Sequence, residues 1–545
     1  MNQGPKTTKG KAPYKGKKPY KKKPYNPKYS KEDAKDVRGS ESEAKVLDHN
    51  NVEWYGGGSV IAEQACKIPF TYPLGMQMPE EYYSTANAVV AGKGPAGTDQ
   101  IITPLAAPGF MTLTATVTPG RAESAASPVN IAMRKIYANV RKNNSGAANY
   151  EPVDLFMYIM SMDEIYSIWS HIMRAFGFVH YYTSMNRYYA EAAYLAMGVT
   201  YSSMVSNVAR YRAKFNILSA KINSFAVPNT MTIFKRHGWL FQNIYMDSPE
   251  DKAQGFVVVP AGYRTFEPFE EETGGFLEYT PIFTQNFSAL DISDWLDILE
   301  TMIDKMTVNE DMNVMSGDIE KAYGSDALVK LGMITETLML QPLYDEGFLN
   351  QCENAVVCGL PADNDIEQEN GNIKYNPSFI SPYDLPSTFD AWKDLRFLNA
   401  HSQNPSSDDV LQATRWAVMG GTSGDSWTPA YFGSDILCSA HFVVSGLNEL
   451  DVIVNASTPA ISSVSTWDLD ANLSPQAIFQ YLKFLWSFNR APEFLGYTTY
   501  FDDPDTIEYQ LFRSMQLDNF GFLDSDLAST IHQAALIYLF GVQNL

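Results

Sequence analysis

Asp390 and Asp394 in FDAWKD, Ser423, Gly424 and Thr428 in SGDSWT, and the run Tyr500-Phe501-Asp502-Asp503 stand in the order used by a template-dependent RNA polymerase. Such chemistry sets one carboxylate on a first strand and another on a YxDD hairpin, on either side of two magnesium ions. The spacing argues against it. Only 33 residues separate Asp390 from Ser423, too few for the palm elements between them. No Asn follows Thr428 at the expected distance, and Pro504 is expected to end the second hairpin strand at once. Other catalytic patterns fail sooner. Gly92-Lys93-Gly94-Pro95-Ala96-Gly97 matches GxGxxG, but Pro95 sits in the turn and the residues after it do not form a helix whose N-terminus would receive a pyrophosphate. Gly424-Asp425-Ser426 is followed by Trp427 where backbone must approach an oxyanion. The loop from Asp363 has Gln368 and Lys374 where a calcium loop needs Gly and Glu. Seven histidines (His49, His171, His180, His237, His401, His441, His532) form no HxH or HExxH, and four cysteines form no CxxC. The expectation is a chain with no catalytic residues, no metal and no cofactor.

The side chains with a clear chemistry are cationic and aromatic. Lys6, Lys9, Lys11, Lys15, Lys17, Lys18, Lys21, Lys22, Lys23, Lys28 and Lys31 alternate with Tyr14, Tyr20, Tyr25 and Tyr29 in a segment without a single acid. These eleven lysines give residues 1–31 a formal +11. The other 30 of the 41 basic groups face 62 acidic ones, so residues 32–545 carry −32. Lysines displace counterions from phosphates and tyrosines stack on unpaired bases, so the segment suits RNA held without sequence reading. With about ten phosphate contacts the affinity would fall steeply with salt. An acidic body repels the same polyanion and lacks the basic groove a polymerase needs. A spacer or a nuclear-import signal in KKPYKKKP is the plainer reading of the lysines.

The elements that position such an arm follow from composition. With 45% hydrophobic and 13% aromatic residues, the rest of the chain is long enough for two or three domains with sizeable cores. No window approaches 18 uninterrupted apolar residues, and no apolar stretch follows the first lysines, so synthesis in the cytosol is expected. Residues 1–45, rich in Lys, Tyr and Pro, cannot bury enough surface to fold alone and read as a disordered arm. Residues 46–150, rich in Gly, Ala, Pro and Thr, read as an extended arm without long helices, suited to exchange between subunits. Leu155, Ile159, Met162, Tyr166, Trp169, Met173 and Phe176 are spaced four and three alternately, and Ile165, Ile168 and Ile172 widen the stripe into a helix buried on most sides. Helical patterns also cover about 185–199, 204–223 and 291–307, and the last at Gln476–Asn489, Asp505–Met515 and Leu527–Leu539. Strand patterns cover 255–290 and 434–456. The fold class expected is therefore a mainly α-helical core layer from 151–350 and 475–545, a smaller mixed α/β or β-rich projecting insertion from 351–474, and the basic arm. The amphipathic C-terminal helix leaves a membrane, or a receptor, open as a partner.

The block 171–282 resembles the coat proteins of picobirnaviruses, small double-stranded RNA viruses. The likeness lies in RAFGFVHYYTSMNRYYAEAAYLAMGV (174–199) and KINSFAVPNTMTIFKRHGWLFQNIYMDSPEDKAQGFVVVPAGY (221–263), with Asn186-Arg187-Tyr188, Ala196-Met197-Gly198, Val227-Pro228, Phe234-Lys235-Arg236-His237 with Trp239, and Tyr245-Met246-Asp247. The resemblance implies that the helical layer is a mainly α-helical shell domain, that a smaller projecting domain lies at the outer surface, and that intertwined dimers, about sixty of them, close an icosahedral shell around the genome of a host-infecting particle. It implies a virion protein assembled in the host cytoplasm. It carries over no catalytic residue. Arg187, Arg236 and Trp239 are expected to fix helix packing or subunit contacts, since arginine and tryptophan are common interface anchors; core roles without interface meaning are the alternative. A polymerase and a cellular RNA-binding scaffold remain the competing functions.

Overall fold

In the computed structural model the described residues are 63, 65–67, 109–144, 146, 149–181, 189–250, 253–269, 274–283, 287–380, 395–400, 402, 404–419, 426–444, 454–456, 487–492, 494–503, 506–514, 516 and 519–542. Residues 1–70 and 71–545 form separate units. In the first, Cys66 is exposed, unlike the buried free thiols Cys352, Cys358 and Cys438 of the second.

The second unit begins with β1 (Phe110–Val117), followed by helices α1 (Pro128–Asn143), α2 (Pro152–Phe178), α3 (Tyr189–Ala196), α4 (Tyr201–Ser206), α5 (Val208–Ile222) and α6 (Ile233–Gln242). Strands β2 (Ile244–Met246), β3 (Gly255–Pro260), β4 (Gly262–Pro268) and β5 (Gly275–Pro281) lead to α7 (Ile292–Val308) and α8 (Glu310–Tyr323). After β6 (Leu343–Tyr344) and α9 (Glu346–Glu353) come short strands β7 (Pro361–Asp363), β8 (Glu367–Glu369), β9 (Asn372–Lys374) and β10 (Ser378–Ile380), then β11 (Leu395–Ala400), α10 (Ser407–Ala413) and β12 (Ser426–Trp427). The chain continues through β13 (Asp435–Val444), β14 (Val454–Ala456), β15 (Phe494–Asp503), β16 (Thr506–Ser514), β17 (Asn519–Asp524) and α11 (Ser525–Leu539).

One six-stranded sheet organises this series, in the order β14-β13-β1-β3-β2-β6. β1 is antiparallel to β13 and parallel to β3. A parallel pair needs a long crossover, and residues 118–254 with their six helices supply it. The sequence FMTLTATV suits this central place because β-branched and apolar residues pack well on a pleated strand, and all eight are buried. Alternation along β1 and β3 sends Phe110, Val257 and Val259 into one core, and Met111, Leu113, Ala115, Val117, Phe256 and Val258 into another on the opposite face.

Helix α2 runs through the first core. At 27 residues it spans about 40 Å, and it packs on α6, α7 and β4. Its start is set by Pro152 in the first turn and by Asp154, whose carboxylate accepts the Glu151 N–H at 2.8 Å. Every residue of the expected stripe except the half-buried Met173 is buried. In α7, within the helical pattern expected at 291–307, Ile292, Trp295, Leu296, Leu299, Met302, Ile303 and Met306 form the buried face. Its outer face is laced to α5 by Lys214 with Asp297 and Glu300, and by Lys221 with Glu300 and Asp304.

The fold is mixed α/β, with helices packed on a central sheet. Three expectations are corrected. The segment 46–150 contains a central strand, β1, and a 16-residue helix, α1, with Val129, Met133, Ile136 and Val140 buried along one face. Asp505–Met515 is not helical: β16 occupies Thr506–Ser514 and pairs with β15 over its whole length, so Pro504 does not end the hairpin. The strand at 435–444, expected within the 351–474 projection, pairs with β1 in the central sheet. The expected 434–456 strand pairing itself is present between β13 and β14.

Candidate functional site

The arm lysines and tyrosines, Arg187, Asp390, Asp394, Ser423 and Gly424 lie outside the described residues. Tyr500–Asp503 ends β15 of a two-stranded hairpin. Of the proposed packing or interface residues, Arg236 and Trp239 are described, and they sit together.

Both belong to α6, where Ile233, Phe234, His237, Leu240 and Phe241 form the buried face. Arg236 and Trp239, three residues apart, therefore share the flank of the helix beside that face. The Arg236 guanidinium forks onto Asp435 at the start of β13, Nη2 to Oδ1 at 2.9 Å and Nε to Oδ2 at 3.2 Å. It lies over the rings of Trp239 at 5.4 Å and Trp416 at 5.8 Å. The same carboxylate accepts from the Trp416 indole N–H and from Ser434 Oγ, the latter at 2.7 Å. Trp239 packs edge-on against Tyr245 and Phe348, while its carbonyl accepts the Tyr245 hydroxyl at 2.6 Å. One carboxylate thus ties α6, β13 and the Trp416 segment into a single point.

His237, next along α6, carries the cluster into α2. Its Nδ1 lies 2.7 Å from Asp163 Oδ2, and its Nε2 is 3.6 Å from Asp435 Oδ2. Burial alone would lower His237, but the two carboxylates prevail and hold it at about 9, so it is a cation at neutral pH. Burial would raise Asp435, yet Arg236 and His237 hold its carboxyl well below the usual range. Two anions therefore meet two cations.

Glu164, adjacent to Asp163, enters a second cluster. Its carboxylate pairs with Arg264 of β4, which is wholly enclosed. Arg264 also donates to the Asn364 carbonyl at 2.8 Å, the Val117 carbonyl at 2.9 Å and Asn364 Oδ1 at 2.7 Å. Tyr279 and Tyr375 rings lie 5.3 and 5.6 Å from it. Burial pushes Glu164 up to about 7, against the pull of Arg264.

Chemically these clusters hold elements together. Asp163, His237 and Asp435 are closed to solvent, and the Ser434 hydroxyl is engaged by Asp435 rather than by the histidine. Among the described residues no group of histidines, cysteines and carboxylates could hold a metal ion, and no helix is long and apolar enough to cross a membrane. Sequence reasoning missed Asp163, Glu164, Arg264, Trp416 and Asp435. The first two carried a signal, adjacent acids between the apolar positions of the α2 stripe; Asp435 carried none, because its partner is 199 residues away.

A family model described as "Picobirnavirus, Capsid protein" matches residues 54–441. A capsid protein precursor from human picobirnavirus (strain Human/Thailand/Hy005102/-) is 30% identical over 396 residues, covering 69% of this chain and 70% of its own. The X-ray crystallographic structure of the picobirnavirus capsid superposes with a TM-score of 0.71 at 21% identity, over 91% of this chain and 100% of the other, a likeness of fold.

Proposed function

This chain belongs to the picobirnavirus capsid protein family, and from that premise we propose that its copies pair as dimers, close into an icosahedral shell around double-stranded RNA, and tether that RNA through residues 1–31. Membership makes it a structural protein of the virion. The observation that carries the finer reading is the split of charge, +11 in the first 31 residues against −32 in the rest. Polyanion repelled by an acidic wall and held by a lysine-tyrosine tail stays inside a shell without being read for sequence. Closure follows from repeating one symmetric contact. The 351–474 segment remains our candidate for the outward projection, with β13 and β14 excepted because both belong to the central sheet. Double-stranded RNA offers phosphates and few unpaired bases, so lysines supply most of the tethering and tyrosines act where strands open.

Electron microscopy of the purified full chain, with nucleic-acid and protein absorbance read on the same fraction, is the test. Closed uniform particles that contain RNA are expected, together with RNA-free particles when residues 1–31 are deleted. Discrete small oligomers across salt and pH would favour a scaffold instead. Loss of all assembly on the deletion would make the arm architectural. RNA capture by the arm should fall by about 10³-fold or more between about 50 and 200 mM salt; a flat salt response contradicts the tether.

A further inference from the structure

A column of rings crosses the first core from the helical layer to the sheet. His171 on α2 lies 4.2 Å from Trp295 on α7; Trp295 meets Phe283 at 6.4 Å; Phe283 meets Phe287 at 4.7 Å; and Phe287 stacks on His441 of β13 at 5.1 Å. The turn at Gly198 closes against it. Trp295 Nε1 donates to the Gly198 carbonyl at 3.0 Å, and a Cβ at this left-handed position (φ +67°) would stand 3.2 Å from Phe283 and 3.3 Å from Phe287. A buried histidine thus stands at each end of a stack that joins α2, α7 and β13.

Neither histidine has a place for a second proton. His171 Nδ1 accepts from Arg174 Nη2 at 2.6 Å, so its own proton is on Nε2, which has no hydrogen-bond partner among the described residues. A second proton would point at the guanidinium and set two buried cations side by side. His441 Nε2 shares a hydrogen bond with Ser439 Oγ at 2.8 Å, and Ser439 in turn bonds Thr114 of β1; His441 Nδ1 has no hydrogen-bond partner among the described residues. Among the described residues, the groups facing them offer no anion. His171 faces Arg174 on its own helix and the Trp295 ring on α7; Arg174 meets the Asn243 carbonyl at 3.0 Å and Tyr245. His441 faces Ser439, Thr114 and the Phe287 ring. The α7 carboxylates Asp291, Asp294 and Asp297 are exposed to solvent. Enclosure and, at His171, the Arg174 charge hold both imidazoles below their ordinary value, His441 at about 4.

We propose that this histidine-capped column is an acid-operated lock, which seals the helical layer onto the sheet near neutrality and opens when acid forces a proton onto either end. For His441 alone, a shift from 6.5 to about 4 favours the open form by about 10²-fold at pH near 4.5. The proposal stands independently of RNA tethering, because it concerns one chain.

Oxidative footprinting of the full chain, read at Trp295 and at Trp416, tests it between pH about 6.5 and 4.5. Both tryptophans are fully buried, and Trp416 lies in the other core. Asp435 beside it stays ionised through this range. Oxidation of Trp295 should rise about fivefold or more while Trp416 stays constant. A joint rise, or none, overturns the lock. In His171→Gln/His441→Gln, glutamine can still accept from Arg174 and pair with Ser439, and the acid midpoint should fall by about one pH unit. An unchanged midpoint in that variant also overturns it. Should the variant not fold, the wild-type footprint decides alone.

Discussion

Asp163 and Glu164 are neighbours on one buried helix, yet they anchor clusters of opposite character. The Glu164 side is closed: one carboxylate meets one guanidinium, and Arg264 spends its donors on Glu164, Asn364 and Val117. The Asp163 side is open at its rim, where Arg236 keeps a small accessible surface, and it balances only while His237 carries a proton. Among the described residues, Asp163 Oδ1 and His237 Nε2 have no hydrogen-bond partner, although both side chains are fully enclosed. The difference teaches that two enclosed clusters on one helix can be held in different ways. The Glu164 side meets the donors of its guanidinium one by one, whereas the Asp163 side leaves polar atoms unmet and depends on paired charge to offset their burial.

The contrast breaks most visibly at Arg264. Arg264→Met should leave Glu164 buried without its cation and strand the Asn364 and Val117 carbonyls, costing about 3–5 kcal/mol. Urea denaturation or soluble yield would show it, and a change below about 1 kcal/mol would mean that water or a rotated side chain satisfies the site. Arg236→Met should cost less, because its partner Asp435 keeps Trp416, Ser434 and His237.

Next in size is the response to alkali. His237 is raised above its unfolded value of 6.5, so its contribution is fully present below pH 6.5 and is lost as pH rises through about 9. A shift of this size corresponds to a loss on the order of 3 kcal/mol. Glu164, also raised, adds to the decline between its unfolded value of 4.5 and about 7. Stability measured by thermal melting should therefore fall from pH 6.5 to 9, and His237→Gln should flatten that limb. At the other end Asp435, held low, contributes above 3.8 and loses its contribution only in stronger acid. A limb unchanged in His237→Gln would show that the proton resides elsewhere.

What the sequence revealed of this arrangement depended on how local each signal was. The α2 and α7 stripes were legible because apolar spacing of three and four residues is a property of the helix itself. Helix α1 carries similar spacing at Val129, Met133, Ile136 and Val140, but the Gly, Pro and Thr content around it masked the pattern. In Thr506–Ser514 the alternation Ile507, Tyr509, Leu511 marks a strand, while Glu508, Gln510 and Arg513 favour helix by propensity; pairing with β15 decided the outcome. The resemblance block contained Arg236 and Trp239, which do share one cluster. Their partners at 416 and 435 are brought near only by the central sheet, and no window of sequence contains that contact.

The smallest effect separates the two roles left to Trp239. Its ring lies under Arg236 and against Tyr245 and Phe348, so Trp239→Phe keeps an aromatic face for the guanidinium and loses only part of the packing. The expected cost to the isolated chain is about 0.5–1 kcal/mol. If the exposed part of the indole also anchors a neighbouring subunit, the yield of particles should fall much further than this cost explains, since each shell repeats the contact many times. Sizing particles against free chain, with melting measured on the same preparation, distinguishes the cases. A drop in particle yield with melting preserved assigns Trp239 to subunit contact; equal small changes in both confine it to the packing of α6 against α9.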